Sequence, residues 1–385
     1  MKKQALFIAL GVSEKPGISG GETRFMEVAK GWEERGYKIH LLSTGGGPYL
    51  CEKFDLKAKH HVIRVKNKGR LGFVFRFFSA FLIPKSLRDF NEGIVVSTNE
   101  QLYDVLPGLI IKLRNTSNIK WGVVTHWLPP FRFWIRKQST ALNSLLFLIS
   151  ERISLYLGCI FADKVLAVSS STKKQIEKDI FGRFAIKKVE AVECGVNYDD
   201  IRKVSEGVSK EYEAVFMKRI QAVKGAFDLP KIWKEVIRKL PNAKLYVIGS
   251  GIDGEKVREV VEEEDLSDSI TFKGPIFDFD KKIKEVSKAK LFLLPSYEEN
   301  WAIVIGEAMA SGTTVVTYDL PELREVWGNN LFFVPVGDTQ EFAKKILELL
   351  EDSAQRQEIR DKALEYVKKY DWKNISEKEL KILLS

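Results

Sequence analysis

Short apolar segments alternate with helical patterns along the whole chain, and this alternation constrains the fold more than any other feature. The first series runs from an apolar segment at Ala5–Leu10, through a glycine-rich loop, into a helix pattern at Thr23–Arg35. A second series opens near Glu213 with the apolar segment Ala214–Met217, followed by a helix pattern at Ala226–Lys239. Two such series predict two parallel sheets, each with helices on both faces.

The length of 385 residues agrees with two domains, because a single hydrophobic core rarely grows that large. We therefore predict an α/β protein with one Rossmann-like domain at residues 1–200 and a second at residues 201–365. The polar segment Tyr198–Glu211 is predicted to be the linker. Ligands of such sheets bind beyond the carboxyl ends of the strands, so we expect the two domains to face each other across an interdomain cleft.

The composition is that of an ordinary globular protein, with 45% hydrophobic and 29% charged residues. The three cysteines are widely separated, which predicts a reducing compartment and no disulfide framework. The apolar run Leu6–Val12 is short for a signal peptide and is predicted to be the first strand. The nearest candidate for a membrane span, Gln138–Ser150, is too short to cross a bilayer. These features favour a cytoplasmic protein.

The charge is distributed unevenly between the two halves. Residues 1–200 contain 31 Lys and Arg against 19 Asp and Glu, whereas residues 201–385 contain 30 against 33. A basic first half joined to a mildly acidic second half indicates that the first domain meets an anionic partner.

The most informative motif is the segment Pro295–Gly312, which contains Glu299 and Glu307 on either side of a predicted helix start near Ile303. Carboxylates at this spacing can accept hydrogen bonds from the paired hydroxyls of a sugar or a ribose. The amides of the first helical turn can bind a phosphate. The alternative for Glu307 is an acid favoured at a helix start by the helix dipole.

Three further features have positions that suit a ligand site. Arg219 and Lys224 lie five residues apart after the predicted strand Ala214–Met217. Fixed cations stabilise the charge that grows on a departing diphosphate, although an isolated pair could equally be surface cations. The glycine loop with Gly20 and Gly21 precedes the first helix, and His126 ends another predicted strand.

These segments together resemble glycosyltransferase family 4, whose members have the GT-B fold. The resemblance extends from about Ala5 to about Trp372 and is most specific in the second domain, where Glu299 and Glu307 match the family's E-x7-E motif. One departure is Lys218, which stands where the family usually has glycine. The resemblance also implies that a C-terminal helix within residues 366–385 crosses back to the first domain.

The resemblance implies a role for each matching residue. Glu299 would bind the hydroxyls of the donor sugar, Glu307 would bind the ribose, and His126 would give polar support to the reacting sugar. The donor diphosphate would be held by cationic side chains and by backbone amides, namely those of Arg219, Lys224, Gly20, Gly21, Ile303 and Val304.

The predicted function is transfer of a sugar from a nucleoside-diphosphate sugar with retention of anomeric configuration. Departure and attack would occur on one face of the sugar, and the leaving phosphate would take the acceptor proton. No metal and no cofactor are implied, because cations at the diphosphate can replace a metal. The alternatives are a GT-B sugar-nucleotide epimerase, or a basic membrane-binding protein without catalytic activity.

A second basic feature suggests the acceptor. Residues 56–88 contain nine cations and no acid, interleaved with five phenylalanines, and residues 131–137 repeat the pattern. Cations beside exposed aromatics suit anionic lipid head groups, so we predict a lipid-linked acceptor and peripheral contact with the inner face of the membrane. The alternatives are a solvated basic face over core phenylalanines, and nucleic acid, for which no motif is present.

Overall fold

The computed structural model describes residues 2–12, 18–63, 83–87, 89–128, 141–178 and 188–385, without the side chains of residues 141–147. The chain divides into two compact units. The first unit contains Met1–Cys194 and Trp372–Ser385, and the second contains Gly195–Asp371.

The first unit is built on a parallel sheet with the strand order β3-β2-β1-β4-β5-β6-β7. Its strands are β1 (Gln4–Ala9), β2 (Lys38–Ser43), β3 (Ala58–Val62), β4 (Gly93–Ser97), β5 (Ile119–Thr125), β6 (Lys164–Ala167) and β7 (Val189–Ala191). Its described helices are α1 (Gly20–Glu34), α2 (Gly47–Lys53), α3 (Leu102–Arg114), α4 (Ala141–Phe161), α5 (Ser170–Lys178) and α14 (Trp372–Leu384).

Helix α1 starts earlier than the sequence pattern predicts. Ser19 is its N-cap: the Ser19 hydroxyl accepts the Glu22 amide, and the Glu22 carboxylate accepts the Ser19 amide. This capping box provides acceptors for amides that the helix leaves unpaired and so favours a helix start at this point. Gly20 and Gly21, predicted to lie in a loop, therefore form the first turn of α1.

The C-terminal helix α14 packs against α1 within the first unit. The Trp32 indole N–H donates to the Ser376 carbonyl at 2.8 Å. Between the same two helices, the Arg24 guanidinium and the Glu379 carboxylate form an ion pair at 2.6 Å, with side chains only 1% and 0% exposed. The last helix thus completes the core of the unit that contains the first residues of the chain.

The second unit is built on a parallel sheet with the strand order β10-β9-β8-β11-β12-β13. Its strands are β8 (Tyr212–Met217), β9 (Leu245–Ile248), β10 (Ile270–Gly274), β11 (Ala289–Leu294), β12 (Thr314–Tyr318) and β13 (Phe332–Val334). Its helices are α6 (Tyr198–Ser205), α7 (Asp228–Lys239), α8 (Gly254–Glu263), α9 (Phe279–Ser287), α10 (Ile303–Ala310), α11 (Pro321–Trp327), α12 (Thr339–Glu351) and α13 (Ser353–Val367).

The prediction of two parallel Rossmann-like sheets is confirmed. In each sheet the strand order reverses beside the first strand of the unit, so β1 and β4 are neighbours, as are β8 and β11. The carboxyl ends of such neighbouring strands form the edge where open α/β sheets bind ligands.

The prediction of a linker at Tyr198–Glu211 is wrong for most of that segment, because residues Tyr198–Ser205 form helix α6. Asp199 in its first turn and Lys203 in its last turn complement the helix dipole, and Ile201 is fully buried. The domain boundary predicted at residues 200/201 lies inside this helix, whereas the second unit begins at Gly195.

Candidate active site

The strand β8 ends at Met217, and the loop that follows contains three cations: Lys218, Arg219 and Lys224. The loop closes with a short 3₁₀ turn over Ala222–Lys224, which ends at Gly225 in the left-handed conformation with φ +72°. A Cβ atom at Gly225 would lie 1.8 Å from the carbonyl oxygen of Pro295. Only glycine permits this approach, which brings the β8 loop against the end of β11.

We expect the change Gly225→Ala to lower the free energy of unfolding of the second unit by about 3 kcal/mol, from left-handed strain together with overpacking. The matched control is Gly207→Ala, since Gly207 has a similar φ of +75° but open space around its Cβ position. The control should cost only about 1 kcal/mol. Thermal unfolding of the two variants measures the difference, and equal losses would refute the close contact with Pro295.

Glu299 lies in the loop after β11 and is held by two of these cations. Its Oε2 is 3.0 Å from Lys218 Nζ, and its Oε1 is 3.0 Å from Lys224 Nζ. The Glu299 side chain is only 6% exposed. Burial by itself would raise the pKa of Glu299, but the two ammonium groups hold it below its ordinary value. The carboxylate is therefore ionised at neutral pH.

The two loops are also joined through their backbones and through aromatic packing. The Tyr297 amide donates to the Val223 carbonyl at 3.0 Å. The buried Trp301 packs edge-on against Trp327 and Tyr370, with ring centroids 4.6 Å and 5.2 Å away. These contacts fix the segment between β11 and α10, and they hold Glu299 in place.

The second acid of the motif, Glu307, lies in helix α10 and pairs with Lys282 of α9 at 2.7 Å. Helix α10 begins after Ala302, a buried residue in the left-handed conformation with φ +54°. A positive φ is uncommon for alanine and marks a backbone that its surroundings constrain. The amides of Ile303 and Val304 lie in the first turn, where an α-helix has no internal acceptor for them.

Arg219 differs from its neighbours. It is exposed, and it forms no ion pair with the described part of the chain. It lies near enough to Lys224 to lower the pKa of that lysine, an effect that comes after those of burial and of the nearby Glu299 and Lys218. An exposed guanidinium beside a buried cation–carboxylate cluster is available to an anionic ligand.

The first unit has a pocket of its own, at the ends of β4 and β5. It has a volume of about 210 Å³, and its lining includes Ser19, Gly21, Asn99, Tyr103 and His126. The pocket also borders the first turn of α1, where the backbone amides of an α-helix have no acceptor within the helix.

His126 is held by the strands around this pocket. The imidazole Nε2 donates to the Thr98 carbonyl at 3.0 Å, and the His126 amide donates to Glu100 Oε2 at 2.9 Å. Burial, with a smaller effect of Arg24, lowers the pKa of His126 to about 4. The ring is therefore neutral at physiological pH and can orient a ligand, but it does not bring a positive charge.

The structure brings the predicted residues together in two groups, one in each unit. In the second unit Lys224 contacts Glu299 and Arg219 lies near Lys224, while Glu307 lies in helix α10, which follows the loop that contains Glu299. In the first unit Gly21 lies beside His126, since a Cβ on Gly21 would be 3.4 Å from the imidazole Nε2.

Two partners in these groups were missed by sequence reasoning: Lys282, which pairs with Glu307, and Glu100, which holds His126. Lys282 has no signal in the sequence, because its pairing depends on the packing of α9 beside α10. Glu100 follows β4 by three residues, and an acid at a strand end was a detectable signal.

The basic-aromatic feature lies mostly outside the described residues. Residues 64–82, 88 and 131–137 are outside the described residues, so the lipid-binding surface predicted there stays a prediction. Among the helices that are described, none combines the length and the apolar character that a membrane crossing requires. The cysteines Cys51, Cys159 and Cys194 are buried and take part in no disulfide.

Two family models match this chain, one in each unit. The model described as "Glycosyltransferase Family 4" matches residues 18–200, and the model "Glycosyl transferases group 1" matches residues 197–366. Together they extend over the candidate site residues of both units.

Individual relatives agree with these models. A phosphatidyl-myo-inositol mannosyltransferase of Mycolicibacterium smegmatis is 31% identical over 40% of this chain and 39% of its own length. The N-acetyl-alpha-D-glucosaminyl L-malate synthase of Bacillus anthracis is 22% identical over 94% of this chain and 92% of its own. In four of the similar proteins, the region that matches this chain spans only 25% to 39% of the protein's own length.

Solved structures share the fold along the whole chain. The crystal structure of Anabaena HepE in complex with UDP and glucose superimposes with a TM-score of 0.72, at 19% sequence identity, over 100% of both chains. At this identity the likeness shows the fold alone.

Proposed function

The chain belongs to glycosyltransferase family 4 and has the GT-B fold, and on this basis we propose its reaction. The protein transfers a sugar from a nucleoside-diphosphate sugar to an acceptor, with retention of anomeric configuration. The observation that carries this proposal is the buried Glu299 carboxylate between Lys218 and Lys224, beside the exposed Arg219.

The second unit binds the donor. Arg219 and Lys224 contact the diphosphate, with the amides of Ile303 and Val304 at the start of α10 as further donors. Glu299 accepts hydrogen bonds from the sugar hydroxyls. Glu307, oriented by its 2.7 Å ion pair with Lys282, accepts hydrogen bonds from the ribose.

Cations perform the part of the chemistry for which other transferases use a metal. The bond between the anomeric carbon and the phosphate oxygen breaks, and its electron pair goes to the diphosphate. The acceptor oxygen forms its bond on the same face, and its proton passes to the leaving phosphate. Fixed cations stabilise this growing charge more in the transition state than in the ground state, which is the condition for catalysis. We therefore propose that the reaction is independent of metal ions.

The pocket of the first unit contacts the reacting sugar and the acceptor. His126 provides polar support as a neutral imidazole, and the amides of Gly20 and Gly21 bind donor oxygens. The crystal structure of HepE in complex with UDP and glucose makes a UDP-sugar the first donor to test. The acceptor of the Mycolicibacterium relative is a phosphatidylinositol by its name, which agrees with a lipid-linked acceptor and a basic first half.

The test is release of nucleotide and formation of product from UDP-, GDP- and ADP-sugars, with and without a polyprenyl-phosphate lipid, in the presence of EDTA. We expect one donor to be consumed, with faster release when the acceptor is present and with no loss in EDTA. NMR of the product should show the anomeric configuration of the donor.

The same assay separates the alternatives. An epimerase would convert the donor without any acceptor, and a non-catalytic membrane-binding protein would bind vesicles without consuming any donor. Consumption with a soluble glycan but not with lipid would keep the transferase and refute the lipid acceptor. Failure with every donor and acceptor would refute the proposed function.

A further inference from the structure

Lys218 is the first residue after β8, and its backbone is fixed on both sides. Its amide donates to the Ile248 carbonyl of β9 at 3.1 Å. Its own carbonyl lies 2.0 Å from the position that a Cβ would take on Gly249, whose φ is +137°. From this fixed backbone the Lys218 side chain extends to Glu299, where its Nζ donates to Oε2 at 3.0 Å.

The two lysines contact different oxygens of the Glu299 carboxylate. Lys218 contacts Oε2 and Lys224 contacts Oε1, each at 3.0 Å, so the carboxylate is held at both oxygens. Lys224 also donates to the Glu298 carbonyl at 2.5 Å, whereas within the described part of the chain the Lys218 ammonium contacts Glu299 alone. Lys218 is thus dedicated to this carboxylate.

This arrangement matters when a diphosphate arrives. Under the proposed function Lys224 binds the diphosphate, and it must then share or give up its contact with Glu299. A buried carboxylate that loses its only cation is strongly destabilised, and this cost would oppose ligand binding. A second, permanent cation on the other oxygen removes the cost.

The charge of the site gives a second reason. Lys218, Arg219 and Lys224 are positive and Glu299 is negative, so the cluster has two net positive charges. A nucleoside-diphosphate sugar has one negative charge on each of its two phosphates. Without Lys218, Glu299 would cancel one of the two remaining cations, and the cluster would balance only one phosphate.

We propose that Lys218 is a positioning residue that keeps Glu299 occupied, so that Lys224 is released to the donor diphosphate. The inference rests on the proposed function and deepens it, because it assigns separate tasks to the two lysines. Lys218 fixes the Glu299 carboxylate, which accepts hydrogen bonds from the sugar hydroxyls. Lys224 binds the phosphate with its ammonium group.

The test is a double-mutant cycle on nucleotide binding, with calorimetry of UDP, GDP and ADP. In Lys218→Met, Glu299 competes with the nucleotide for Lys224, so we expect affinity for the nucleotide that binds the wild type to fall about tenfold. In the double variant Lys218→Met/Glu299→Gln, no carboxylate competes, and affinity should return to within about threefold of the wild type. Removal of both charges can also restore a weakened fold, so thermal unfolding of both variants is measured beside the affinities. A structural role would lower the stability of Lys218→Met and leave the affinity of the folded protein unchanged.

The matched control is Lys290→Met, which removes a lysine from a similar ion pair, Lys290 with Glu213 at 3.1 Å, in the same unit. It should leave nucleotide affinity unchanged. If Lys218→Met binds as the wild type does, or if the loss persists in the double variant, the inference is overturned and the proposed function stands. If the wild type binds none of the three nucleotides, the proposed function and the inference fall together.

Discussion

The change Lys224→Ala is expected to lower kcat of sugar transfer by about 10²- to 10³-fold. The reason is that Lys224 reaches both the buried carboxylate and the proposed diphosphate position, where negative charge grows as the sugar departs. Glu299 keeps its ion pair with Lys218 in this variant, so the fold should be retained. Steady-state kinetics with saturating donor measure the effect.

The control for Lys224→Ala is Lys231→Ala, which removes an exposed lysine that lies 3.7 Å from Asp228 in the same unit. It should change kcat by less than about twofold, since Lys231 is exposed and Asp228 still accepts the hydroxyls of Tyr297 and Tyr318. A Lys224→Ala enzyme within threefold of the wild type would contradict the role of this lysine in leaving-group stabilisation.

The largest effect on stability is expected at Arg24. Its ion pair with Glu379 is completely buried, and its guanidinium also donates to the Val192 carbonyl at 3.2 Å. The change Arg24→Met leaves the Glu379 carboxylate buried without its cation. We expect the free energy of unfolding of the first unit to fall by about 3–5 kcal/mol, as measured by chemical denaturation.

The double variant Arg24→Met/Glu379→Leu provides the control, because it removes both charges and fills the site with apolar side chains. Replacement of a buried ion pair in this way is often neutral. We expect most of the stability to return. A double variant as unstable as Arg24→Met would mean that packing of the arginine, and not the unpaired charge, stabilises α14 on α1.

The sheets, and the placement of Lys224 and Glu299 at one edge of the second sheet, follow from the sequence. Apolar segments of strand length mark each parallel strand, because both faces of such a sheet are covered. Lys224 follows β8 and Glu299 follows β11, and in a doubly wound sheet these strands are neighbours. Residues that are 75 positions apart are therefore brought to one edge by topology alone.

Other features depend on packing that no local pattern contains. The ion pair of Lys282 with Glu307 requires that α9 pack beside α10. The ion pair of Lys218 with Glu299 requires close packing of the loops that follow β8 and β9. The start of α1 at Gly20 was missed because two glycines suggest a loop, while the capping box at Ser19 outweighs their low helix propensity.

The claim that the second unit holds a nucleoside diphosphate through the cations after β8 is tested most directly by calorimetry of UDP, GDP and ADP with the wild type and with Arg219→Ala. Arg219 is exposed and has no ion pair in the described chain, so its loss should leave the fold unchanged. We predict binding of one nucleotide by the wild type, and an affinity at least about tenfold lower in Arg219→Ala, corresponding to about 1.4 kcal/mol. Equal affinities in the two proteins, or no binding of any nucleotide by the wild type, would contradict this account of the site.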